Sequence, residues 1–202
     1  MNRKLNILIV LIVLFGCTSD RDEATKQPVE MHFDVDQELL GETIVSEENE
    51  ISFQPPKQWE LLAGDVFQEA IRQFTRMQSA GDTFSIQPAY IFLHHRHGSV
   101  MIISEITVND DKITSPDIVQ AFRRDVNAGL DAARYQEAEF LKNGLLVYQY
   151  LIQDDDTVNF KFLFQNKNNA LFQVDYIVPR SVYAAESKAV ESSIGSIHVV
   201  PH

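Results

Sequence analysis

The chain has 202 residues, 45% of them hydrophobic, with 17 basic and 29 acidic side chains and a formal charge of −12. That length and apolar content suit one folded domain with chain to spare for a leader or tether. So acidic a surface repels phosphate backbones and offers no basic patch to anionic lipid heads, which excludes nucleic acid as an expected partner.

In chain order, Met1–Lys4 forms a small basic head, and Leu5–Phe15 is aliphatic except for Asn6. The run is too short for a transmembrane helix, which needs roughly 20 apolar residues. It has the length and basic flank of a secretory signal peptide. It closes on Leu14-Phe15-Gly16-Cys17, which holds the chain's only cysteine. This stretch resembles the lipobox of bacterial lipoproteins at Leu14, Gly16 and Cys17, with Phe15 bulkier than usual at its place. The resemblance implies a signal peptide over residues 1–16, cleavage between Gly16 and Cys17, and acylation of Cys17 with palmitate-like chains. Several acyl chains hold a protein to a membrane durably, where one does so only marginally. Lipidation would also consume the single thiol.

Residues 17–41 are acidic, with Asp20, Asp22, Glu23, Glu30, Asp34, Asp36 and Glu38, and show little apolar periodicity. They are expected to form a flexible tether, whose coil would reach about 25–30 Å. Thr18, where an Asp would mark inner-membrane retention in enterobacteria, implies outer-membrane delivery. The cluster Asp20, Asp22, Glu23 suits either a surface-export signal of Bacteroidetes lipoproteins or a solvated linker.

A single globular domain is expected over 42–202. Glu50–Gln54 alternates, with Ile51 and Phe53 on one face, and Pro55-Pro56 ends that strand. Trp59, the only tryptophan, follows. A helix is expected from Asp65 to a stop at Gly81, with Phe67, Ala70, Ile71 and Phe74 on one stripe. Two strands, Ser85–His97 and Ser99–Val108, meet at Gly98. Ser115 as N-cap and Pro116 at the first helical position begin a second helix, with Ile118, Val119, Phe122, Val126 and Leu130 inward.

A meander follows. Ala133–Lys142 runs into the hairpin turn Asn143-Gly144, and Leu145–Gln153 returns to a turn at Asp154-Asp155-Asp156. Phe160, Phe162 and Phe164 share one face of the next strand. After Asn166–Asn169, Phe172, Val174, Tyr176 and Val178 line the last. A helix over about Ser181–Ser193 turns Val182, Ala185, Ala189, Val190 and Ile194 inward, and Ile197–Val200 closes the chain. Tight turns impose antiparallel pairing, so the fold class is α+β, an antiparallel meander sheet covered by helices.

Ile51-Ser52-Phe53-Gln54-Pro55-Pro56-Lys57-Gln58-Trp59 resembles the opening strand of PsbP-like proteins. Glu191-Ser192-Ser193-Ile194-Gly195-Ser196-Ile197 resembles their closing helix. The resemblance spans about Thr43–Val200 and implies an α/β/α sandwich. PsbP is an extrinsic photosystem II subunit, and its relatives include assembly factors and uncharacterised lipoproteins. No photosynthetic role follows.

His94-His95-Arg96-His97 is the most polar event in an apolar strand. Strand alternation puts His95 and His97 on one face and His94 on the other. Zinc takes three or four ligands, and two from a strand fall short, so no metal and no cofactor are expected. Trp59, His95 and His97 are the residues from which a ligand surface would be built, although Trp59 after two prolines also suits a packing anchor. Asp154 does not open a calcium loop, since Asn159 and Gln165 stand where Gly and Glu are required. There is no G-x-S-x-G, H-E-x-x-H, phosphate loop or dinucleotide fingerprint, and no catalytic residue is assigned. Two functions are carried forward. The first is a non-enzymatic envelope lipoprotein, held by lipid on Cys17 and engaging an envelope protein. The alternative is a small hydrolase or metal-dependent enzyme using the His94–His97 region.

Overall fold

The computed structural model describes residues 28–47, 50–77, 84–108, 113–127, 135–165 and 170–200. Along them run β1 (Val29–Glu30), β2 (Ile44–Ser46), β3 (Ile51–Phe53), β4 (Glu60–Leu61), α1 (Gly64–Met77), β5 (Phe84–His94), β6 (Ser99–Val108) and α2 (Ser115–Asn127). Then come β7 (Tyr135–Lys142), β8 (Leu145–Gln153), β9 (Thr157–Gln165), β10 (Leu171–Pro179), α3 (Tyr183–Gly195) and β11 (His198–Val199).

Strands β7 to β10 pair in sequence order as an antiparallel meander. Its first hairpin rests on Asn143 and Gly144, both at positive φ (49° and 80°), as the two-residue turn requires. The β5–β6 hairpin joins the free edge of β10 through β6, and β4 extends it, so the main sheet is ordered β1-β7-β8-β9-β10-β6-β5-β4. β3 does not enter it. Ile51–Phe53 pairs with β2 and β11 as a second, three-stranded sheet.

Alternation along the strands builds two cores. Phe162, Phe164, Phe172, Val174 and Tyr176 point to one face. There they meet Ile51 and Phe53 of the small sheet, Trp59, and Val190 and Ile194 of α3. Tyr150, Ile152, Leu163 and Leu171 point to the other and meet Ile118, Val119 and Phe122 of α2. Each such side chain stabilises by about 1.5–3 kcal/mol when fully buried, so neither face of the meander is free. The phenylalanine row is core, with Phe164 stacked on Phe172 at 4.8 Å. The α+β class read from the sequence, an antiparallel sheet with helices packed on it, is the observed one.

Helix α2 starts one residue earlier in its capping than the sequence implied. The Thr114 N–H donates to Asp117 Oδ2 at 2.9 Å and its hydroxyl to the same oxygen at 2.6 Å, one half of a capping box. The helix is tied down by Arg123. Its guanidinium lies 2.8 Å from Glu137 Oε1 and donates to Tyr150 Oη at 3.2 Å. Burial pushes the Tyr150 phenol up to about 12.

The sequence assigned 17–41 to a tether, but residues 28–41 run along the domain. β1 pairs in parallel with β7, Val29 opposite Phe140. Phe33 lies 6.0 Å from the Phe140 ring, and Leu40 is buried and bridges to Pro56. Asp36 donates its N–H to Ser192 Oγ at 3.1 Å and receives Lys188 Nζ at 2.9 Å. Helix α1 lies against β5, and Phe67, Ala70 and Ile71 along it are half-buried. The expected stop at Gly81, the Asn166–Asn169 turn and Leu14–Cys17 lie outside the described residues.

Candidate functional site

β5 ends at His94, and residues 95–98 form a turn instead of a continued strand. Gly98, at φ 74°, closes it, and its N–H donates to the His94 carbonyl at 2.8 Å. The turn cancels the alternation on which His95 and His97 were expected to share a face. His95 is exposed, with Nε2 3.2 Å from Glu60 Oε2. His97 instead folds back onto His94, their rings stacked at 3.6 Å and 12° from parallel.

Glu186, in the first turn of α3, completes the group. Its Oε1 lies 3.3 Å from His97 Nε2, and its Oε2 accepts the Trp59 indole N–H at 3.2 Å. Trp59 is only 4% exposed and packs edge-on against Tyr176 at 6.3 Å. It is therefore an anchor that offers its N–H to Glu186 and no open ring face to a ligand. Ser99 Oγ lies 2.9 Å from His97 Nδ1, and the Arg96 N–H donates to His94 Nδ1 at 3.3 Å. Arg96 itself is exposed.

One donor atom from each of His94, His97 and Glu186 lies within 4.8 Å of the others. His97 Nε2 is buried and, although within ion-pair reach of Glu186, is not aligned to hydrogen bond with it. Two imidazoles and a carboxylate are the donor set of a borderline divalent cation or of a shared proton. Of the residues proposed from sequence, Trp59 and His97 meet here and His95 does not. Sequence reading missed Glu186 and put His97 on the face opposite His94. Gly98 was a signal for the turn, but nothing local ties Glu186 to a histidine so far away in the chain.

A second polar group sits on the α2 face of the sheet. Lys161 Nζ lies 2.7 Å from Asp175 Oδ1, and Gln173 Nε2 donates to Asp175 Oδ2. On the α3 face, the two stretches that carry the family resemblance touch each other. Ser193 Oγ donates to the Gln54 carbonyl at 2.6 Å, and the Gln54 N–H donates to Ser196 Oγ at 2.8 Å. The serines of that motif are thus clasps between α3 and the chain leaving β3.

Among the described residues, no helix is long and apolar enough to cross a membrane. No family model matches the sequence, and no curated protein does. Solved structures that match include the solution structure of cyanobacterial PsbP (CyanoP) from Synechocystis sp. PCC 6803, with 15% identity and a TM-score of 0.44. The match covers 78% of this chain and 91% of that one. A likeness of this size says nothing of what this chain binds.

Proposed function

We propose that this chain is a lipid-anchored protein of the bacterial envelope whose PsbP-like domain acts by binding or assembly, without catalysis. The observation that carries the reading is Leu14-Phe15-Gly16-Cys17 at the end of a basic-headed apolar run. The domain begins close behind it. About 11 residues separate Cys17 from Pro28, at most roughly 40 Å of chain. A lipid on Cys17 would therefore hold the β1 edge near the bilayer, closer than a tether ending at residue 41 would. A binding role is supported by the way both faces of the meander are filled by the chain's own side chains, which leaves recognition to edges, turns and helix surfaces.

The test is metabolic labelling with a radioactive fatty acid, with the chain followed by size. The wild-type chain should label and run at processed size, and Cys17→Ala should remain an unlabelled precursor. A Cys17→Ala chain that still labels and is still processed would overturn the reading.

A further inference from the structure

We propose that His94, His97 and Glu186 bind one divalent transition-metal ion of the zinc class, clamping the β5–β6 turn to α3. The proposal does not rest on anchoring at Cys17.

Three observations converge on it. The donors come from two elements far apart in sequence, yet one atom of each lies within 4.8 Å of the others. Two of the three are already held from outside, as metal ligands usually are. The Trp59 indole takes one oxygen of Glu186 and leaves the other facing His97. Ser99 Oγ pairs with His97 Nδ1. When Nδ1 is the donor in that bond, the Nε2 lone pair faces a carboxylate oxygen at 3.3 Å. Two electron-rich atoms that close need a proton or a metal ion between them. That buried Nε2 has no aligned hydrogen-bond partner among the described residues.

The stack of His94 on His97 sets the cost. An imidazole ligates in its own plane, and two stacked rings 12° from parallel, with centroids 3.6 Å apart, do not both aim at one ion. One ring has to turn. His94 is the one more loosely held, by a single 3.3 Å bond from the Arg96 N–H. Affinity should then fall short of that of a preformed site. Three protein ligands leave a position for water or an outside ligand.

The untagged full-length chain, purified in detergent without chelator, is titrated with cobalt(II) chloride and followed by its visible d–d bands, and zinc chloride is used to displace it. One equivalent should bind saturably and be displaced by zinc. His97→Gln and Glu186→Gln should each weaken binding by more than about 10-fold, and Trp59→Phe, which removes an outer partner, by about 10-fold. His95→Gln should bind as the wild type does. Circular dichroism reports whether each variant folds. Paramagnetic broadening of the His94 and His97 ring signals in the wild-type chain needs no variant at all. Absence of saturable binding would overturn the proposal. So would binding that survives both His97→Gln and Glu186→Gln, loss of binding on His95→Gln, or rings that respond to pH but not to cobalt.

Discussion

Lys142 is 2% exposed and donates its ammonium to the Ile197 carbonyl at 2.7 Å. Burial pulls its pKa down to about 8, partly offset by the charge of Glu30. Between about pH 8 and 10.5 the unfolded chain keeps a proton that the folded chain has released, so this group adds stability as pH rises through that window. Below it, the cost of the buried charge is present in full. Lys142→Met removes the titration. The stability of the wild type relative to Lys142→Met should therefore rise by about 1.5 kcal/mol from pH 8 to 9.5, since the folded chain has already lost half its proton at pH 8. Urea unfolding of both proteins at the two pH values measures it, and a pH-independent difference would contradict it.

Gly195 makes a steric point at the same scale. A Cβ built there would lie 2.6 Å from Val35 Cγ2 and 2.9 Å from Phe33 Cβ. Gly195→Ala should cost about 1–3 kcal/mol, as overpacking does, by pushing residues 33–35 off α3. Hydrogen exchange should show that segment loosening first. The histidines carry the lesson about reading single residues. Their types were visible in sequence, but their faces depended on whether the chain turned at 95–98. His94 and His97 meet only because it does.

At the level of elements, the meander was legible because each of its signals is local. Period-two alternation and Asn143-Gly144 specify strands and their pairing without any knowledge of the rest of the chain. Helix α2 was legible from its stripe, and that stripe is what docks it. Phe122 is buried against Tyr150 at 5.6 Å, edge to face. Phe122→Ala should cost about 3–5 kcal/mol, and thermal melting at neutral pH checks it. Loss of less than about 1 kcal/mol would mean that α2 is not held by this face. Residues 28–41 were misread. Val29, Met31, Phe33 and Val35 alternate with Glu30, His32, Asp34 and Asp36, but so acidic a stretch reads as tether, and β1 is only two residues long. What Phe33, Val35 and Leu40 pack against was not in view either. Their partners, Phe140, Gly195 and Pro56, are distant in the chain, and only the closed fold brings them together.

For the molecule as a whole, that segment shifts where the folding unit begins. A chain starting at residue 28 should melt in one transition, and one starting at residue 42 should melt lower, since it loses Leu40, the Asp36–Lys188 pair and the cover over Phe140. Equal melting temperatures would return residues 28–41 to the tether. With the lipid on Cys17 that we propose, a domain beginning at residue 28 would work beside the bilayer. The most direct measurement is cross-linking in intact cells, with wild type compared to Cys17→Ala after carbonate-washed membranes are isolated. A lipid-anchored binding domain predicts that the wild type stays in the membrane fraction and enters discrete cross-linked species, and that Cys17→Ala loses both. A Cys17→Ala chain that keeps its membrane association and its cross-links, or a wild type found only as a free soluble monomer, would contradict it.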